Sequence, residues 1–198
     1  MESIKQHFDQ KARVYNKERS HAWLGFIVRQ EKNVVMKLLN PKKGENILDA
    51  GCGAGEYATL IKENGAHVYG VDVAPNMIAE LRKKKIAGSV DNIESMNLRK
   101  KFDKILSAGT LEFCEYPEKA VKNLIAHLKE NGQLVILLPR RSIMGMFYWL
   151  YHRKHAIKIK LFRLRRLEEI VKETKSIVRE VRRADSSFCF YAIRVQRD

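Results

Sequence analysis

The chain has 198 residues, enough for one domain around one core, and its 45% hydrophobic and 31% charged content is that of a globular protein. Three cysteines, Cys52, Cys114 and Cys189, lie far apart with no C-x-x-C, which argues against a zinc site and against a disulfide framework. Lys and Arg outnumber Asp and Glu by 38 to 23, a net charge of +15, so the surface suits anionic partners such as a membrane face or nucleic acid.

The first segment, MESIKQHFDQKARVY, is polar and of mixed charge, unlike a signal peptide. No apolar run approaches the ~18 residues needed to span a bilayer, so a cytoplasmic protein is expected. Residues 1–40 read as two helices. Ile4, Phe8, Ala12 and Tyr15 share one face of the first, and 23–39 is a second amphipathic run that Asn40-Pro41 ends. Strands and helices then alternate: strand 46–50, helix 56–64, strand 67–72, helix 75–85 with Pro75 at its start, strands 86–90 and 103–107, helix 117–129, strand 133–138. Residues 139–162 break the pattern and read as irregular. A helix at 166–174 follows, then two long runs at 176–183 and 187–196. The alternation predicts an α/β fold with a doubly wound, mostly parallel sheet in a single domain, 1–198.

The turn ILDAGCGAGEY, 47–57, carries glycine at 51, 53 and 55 between a buried strand and a helix. Such a turn needs φ > 0 or close approach by a ligand or another part of the chain. It matches the dinucleotide pattern G-x-G-x-x-G/A only in part, because Glu56 stands at the last position, and the phosphate-loop pattern is absent. Asp49 precedes the turn, Glu56 opens the helix and Asp72 ends the next strand. That acidic field suits a cationic, phosphate-free nucleoside better than a pyrophosphate. Asp72, at a strand's carboxyl end, is placed to accept hydrogen bonds from a ribose diol.

Four motifs in order make 47–138 resemble a class I S-adenosylmethionine-dependent methyltransferase: ILDAGCGAG, VYGVDVAPNMI, FDKILSAGTLEF (102–113) and LKENGQLVILLP (128–139). The resemblance implies a Rossmann-like, seven-stranded sheet closed by a C-terminal antiparallel hairpin, with N-terminal helices. It divides the chain into cap helices (1–40), a cofactor-binding core (44–138), a basic aromatic lid or insertion (139–166), and a helix with the closing hairpin (167–198). The implied cofactor is S-adenosylmethionine, with S-adenosylhomocysteine (SAH) as product. The implied cofactor-binding residues are Tyr15, in an N-terminal element FD-x-x-A-x-x-Y, with Asp49, Gly51, Gly53, Gly55, Asp72, Val73, Ser107 and Ala108. Asp91, Asn92 and Ile93 are placed beside the adenine, where the alternative for Asp91 is an ordinary turn residue.

The sulfonium already activates the methyl group, so the protein must align an acceptor and exclude water. An oxygen acceptor also needs a base. His67 and His127 read as structural, the latter in a surface helix. His21, His152 and His155 fall in regions that cover the substrate in this family and are candidate bases; the alternative for each is a plain surface histidine. The turn SAGT, 107–110, lacks the Pro-Pro pair of amino-group methylases, and SAGTLEF resembles small-molecule oxygen and carbon methylases, while 139–166 resembles the variable insertion of the quinone- and tetrapyrrole-type branch.

Residues 139–166 carry Phe147, Tyr148, Trp149 and Tyr151, nine Lys or Arg, and no acid. Aromatics fenced by cations are what an interfacial segment needs. The expected function is methyl transfer to a small hydrophobic acceptor at an anionic membrane surface, or beneath a simple lid. Nucleic acid is the weaker partner expectation. An RNA methyltransferase using the basic C-terminal part, or an inactive cofactor-binding partner subunit, are the other readings. No metal site is expected.

Overall fold

The computed structural model describes residue 9 and residues 22–154, 159–161, 163–184 and 190–197. The first expected helix lies outside the described residues, except Asp9. Tyr15, His21, His155 and Cys189 lie outside them as well.

The described chain begins with α1 (Ala22–Leu39), then β1 (Asn46–Ala50), α2 (Glu56–Glu63), β2 (His67–Asp72), α3 (Pro75–Lys83), β3 (Ala87–Val90) and β4 (Phe102–Ala108). A single 3₁₀ turn (Leu111–Phe113), α4 (Pro117–Ala126), β5 (Leu128–Pro139), α5 (Ile143–Lys154), α6 (Leu164–Glu173), β6 (Ser176–Arg183) and β7 (Phe190–Arg197) complete it. Seven strands form one sheet in the order β3-β2-β1-β4-β5-β7-β6. All neighbours are parallel except β7, which runs antiparallel to both β5 and β6. This is the expected doubly wound sheet with a closing hairpin.

β1, β4 and the second half of β5 are covered on both faces, as their near-continuous apolar sequences require. Ile47, Leu106, Val135 and Leu137 pack with Val35, Leu38 and Leu39 of α1 and Ile61 of α2. On the other face Leu48, Ile105, Leu134 and Ile136 pack with Val121 and Leu124 of α4 and Leu167, Ile170 and Val171 of α6. The alternation of odd and even residues on β1 between the two clusters is the period-2 signature of a strand. Strand β6 lies at the edge, and its run of Arg and Glu keeps that edge polar.

Three expectations differ in detail. Helix α4 stops at Ala126 rather than 129, because Leu128 already pairs with Phe102 in the sheet. His127 is not a surface-helix residue: it is 8% exposed, its Nδ1 bonds the Asn123 carbonyl at 2.8 Å, and its Nε2 accepts the Leu98 N–H at 3.3 Å. Residues 143–154, read as irregular, form α5. That helix was hidden because both its faces are apolar, so its hydrophobicity has little period.

Candidate functional site

The sheet order reverses between β1 and β4, and in an open parallel sheet a ligand crevice forms outside the strand ends at such a point. The glycine turn leaves β1 there. Its Gly51 and Cys52 N–H groups donate to the Val71 carbonyl at 2.7 and 3.0 Å, which ties the turn to β2.

The three glycines have three different reasons. A Cβ on Gly51 would run into the Thr110 side chain, which comes from the turn after β4 and whose Oγ1 lies 3.4 Å from the Gly51 carbonyl. A Cβ on Gly55 would press on Leu81 of α3. Gly53 has φ +51° and would meet nothing nearer than the Met77 sulfur, at 4.0 Å. Gly53 therefore leaves open space; Gly51 and Gly55 are filled by the protein itself.

Asp72 organises this space. One carboxylate oxygen accepts the Gly53 N–H at 2.9 Å and the other the Ala74 N–H at 2.9 Å. The Val73 N–H also supports it. Burial pushes the Asp72 carboxyl above its usual range, and these backbone donors pull it back. Asp9 accepts the Asn76 N–H at 2.7 Å, so the N-terminal segment reaches the first turn of α3 beside this site. The FD of the N-terminal element was the signal for Asp9, which the sequence reading did not single out.

Asp49 lies beneath the turn, 2% exposed, with Oδ2 lacking any hydrogen-bond partner. The Ala58 N–H, in the first turn of α2, bonds its carboxyl group. Burial first, and the Asp72 charge second, push Asp49 up to about 7, against the pull of that N–H. The positive end of α2, which in phosphate sites faces a phosphate, is thus served by an internal carboxyl. Glu56 at the start of α2 pairs with Lys32 of α1 at 3.2 Å.

Asp91 follows β3; its N–H donates to the Asp72 carbonyl at 3.0 Å and its carboxylate accepts the Asn92 N–H at 2.7 Å. The Asn92 side-chain oxygen accepts the Glu94 N–H at 3.0 Å. The Asp91 and Asn92 side chains therefore both serve this turn's own backbone. The Ile93 side chain is buried in the core. Ser107 is fully buried at the end of β4, its Oγ without a hydrogen-bond partner, and Ala108 next to it is half-buried. The structure thus gathers the ends of β3, β2, β1 and β4 with Asp49, the glycine turn, Asp72, Val73, Asp91, Asn92 and Ser107 to Thr110. Thr110, which locks the β4 turn onto Gly51, had no signal beyond its place after Gly109.

Of the candidate histidines, His152 is described. It lies on α5, edge-on to Phe113 at 5.6 Å and to Tyr148 at 4.5 Å. Phe113 ends the 3₁₀ turn just after Thr110, so His152 is at the β4 side of the crevice. Tyr148 also meets Phe190 edge-on at 5.2 Å. The opposite face of α5 bears Met146, Phe147 and Leu150, 60%, 61% and 54% exposed, with Arg153 and Lys154 beyond them. The chain after α5 is strapped back onto this turn and the helix that follows it: the Lys160 N–H donates to the Glu112 carbonyl at 2.8 Å, and Arg166 forms a two-pronged pair with Glu118 at the start of α4, both at 2.8 Å. Among the described residues no group of three or more His, Cys, Asp or Glu is placed to hold a metal ion.

Comparison with known proteins agrees with this geometry. A family model described as a methyltransferase domain matches residues 15–174. A mitochondrial ubiquinone biosynthesis O-methyltransferase of Schizosaccharomyces pombe is 26% identical over 166 residues, 75% of this chain and 61% of that protein. A ubiquinone biosynthesis O-methyltransferase of Coxiella burnetii is 30% identical over 113 residues, 54% of this chain and 48% of that protein. The chain thus spans about half to three-fifths of these relatives' lengths. The crystal structure of magnesium protoporphyrin IX methyltransferase from Synechocystis PCC 6803 with bound SAH superposes with a TM-score of 0.80 at 14% identity, over 98% of both chains.

Proposed function

The chain belongs to the methyltransferase domain family, and from that premise we propose that it transfers the methyl group of S-adenosylmethionine to a small hydrophobic acceptor, a quinone, lipid or similar aromatic metabolite. The observation that carries the cofactor is the chemistry around Gly53. The space a Cβ would enter is open, Asp72 accepts the Gly53 N–H beside it, and the two acids Asp49 and Asp72 outweigh Lys84, the cation that acts on the neighbouring Cys52. Such a set fits a cation with a ribose, and it does not fit a pyrophosphate.

When bound, the cofactor supplies an electrophilic methyl group. The chain's own residues have the remaining tasks. Gly53 would form the open floor against the methionine part, with the Gly51 backbone beside it under Thr110 and Gly55 seating the turn on α3. Asp72 would accept from the ribose hydroxyls on the lone pairs its three backbone donors leave. Val73, Asp91, Asn92 and Ile93 frame the adenine, chiefly through backbone, since the Asp91 carboxylate is engaged with Asn92. Ser107 and Ala108 form the wall between cofactor and acceptor. Tyr15 is assigned to the cover over the cofactor from its sequence element alone. For an oxygen acceptor His152 is the described candidate to take the proton, because it packs on Phe113 at the β4 side of the crevice. His21 and His155 are kept as alternatives on sequence grounds.

The acceptor class rests on α5 and on the relatives. Two of them are O-methyltransferases of ubiquinone biosynthesis, and the exposed Met146, Phe147 and Leu150 with neighbouring cations suit an anionic membrane face where a greasy acceptor dissolves. The protein then acts peripherally, at the inner face of a membrane. Vesicle sedimentation tests this part. Binding to anionic vesicles that weakens with salt supports it; binding to structured RNA with none to vesicles replaces it with a nucleic-acid acceptor.

A further inference from the structure

We infer that entry of the cationic cofactor beside Gly53 expels a proton from Asp49 at and below neutral pH, so that the second carboxylate forms as the positive ligand arrives to meet it. This rests on reading the site as one for S-adenosylmethionine.

The geometry sets up the switch. Asp49 is enclosed at the end of β1, and Oδ2 has no hydrogen-bond partner. A dry, half-satisfied carboxylate is costly, whereas a protonated carboxyl needs far less. Asp72, from β2, is the neighbouring charge, and its three backbone donors hold it as the anion of the two. The other titratable and charged groups about the turn are Cys52, whose thiol burial and both carboxylates push up, and Lys84, the cation that Cys52 feels. Asp9 faces Asp72 from the N-terminal segment, and Glu56 on α2 is matched by Lys32 of α1. No cation among these bonds Asp49. Its elevation to about 7 agrees with that enclosure.

The consequence is discrimination between cofactor and product. S-adenosylmethionine carries a sulfonium, an ammonium and a carboxylate, a net positive charge; SAH lacks the sulfonium and is net neutral. A cation in the site favours ionised Asp49, and a neutral ligand lets Asp49 take its proton back from solvent. Product is therefore held less well than cofactor as pH rises.

Titration calorimetry on the purified full chain, in phosphate and in Tris, reads the protons released on binding. At about pH 6 the expected result is a fractional proton released with S-adenosylmethionine and less with SAH, and the affinity for S-adenosylmethionine rises with pH up to about 7, at the limit tenfold per pH unit, and levels off above it. Asp49→Asn removes both the release and the pH dependence. Should that variant fail to fold, carboxyl NMR of the aspartate-labelled wild type gives the same information: one resonance titrates near neutrality in the free protein and stays ionised when the cofactor is saturating. Binding with a buffer-independent enthalpy, or release unchanged in Asp49→Asn, overturns the inference and leaves the methyltransferase reading standing. Absence of S-adenosylmethionine binding at every pH overturns both.

Discussion

Asp72 joins two turns and, in the proposed function, a ribose. Replacing it by Ala leaves the Gly53 and Ala74 N–H groups without their partner, so S-adenosylmethionine binding weakens by about 1.5–3 kcal/mol, the cost of a charged hydrogen-bond partner. Calorimetry checks this, and unchanged affinity would show that Asp72 holds no ribose. Gly53 is a sharper test, because its neighbours are not the obstacle. Gly53→Ala keeps a folded chain with a strain of about 1–2 kcal/mol at φ +51° and loses much of its cofactor affinity; Gly53→Val abolishes binding. Thermal melting separates loss of binding from loss of fold. Asp49 bears on stability. Its carboxyl is raised in the folded state, so the folded protein binds more protons than the unfolded one between about pH 4 and 7. That contribution is fully present below pH 4 and is lost as pH rises through 7. Asp49→Asn should therefore melt higher than the wild type at pH 8, with the difference narrowing steadily as pH falls from 7 towards 4. Asp72 and the glycines were legible in sequence because their chemistry is local. Which glycine faces open space was not, since Thr110 and Leu81 come from 59 and 26 residues further on.

Helices and strands with buried and solvated faces announced themselves, as α1, α3 and α4 did. Helix α5 did not. One face is seated by Tyr148 and His152 on Phe113 and Phe190, while the other exposes Met146, Phe147 and Leu150, so apolar residues fall all round. An exposed apolar patch of this kind on a folded domain marks a contact surface. Phe147→Ser with Leu150→Ser should abolish sedimentation with anionic vesicles and leave cofactor affinity unchanged, because neither side chain faces the crevice. Arg153→Gln with Lys154→Gln should weaken the same binding by up to about 1 kcal/mol for each charge at low salt, and less at high salt. Vesicle binding unaffected by both pairs would assign α5 the role of a lid alone.

At the scale of the whole molecule, seven strands place the ends of β1 and β4 side by side, and every group assigned to the cofactor among the described residues lies at that end of the sheet. The doubly wound parallel sheet was legible because strands and helices alternate along the first five strands. The seating of α5 and the pinning of 159–166 on Glu112 and Glu118 were not, since they depend on pairs 39 to 48 residues apart. The central claim is that this end of the sheet moves a methyl group to a hydrophobic acceptor. It is tested most directly by incubating the purified chain with methyl-labelled S-adenosylmethionine and an apolar lipid and quinone extract, then locating the label by mass spectrometry, with Gly53→Val alongside. Label in an apolar product, absent with Gly53→Val, is the predicted result. Label in RNA but not in the apolar fraction, or equal labelling by Gly53→Val, would contradict it.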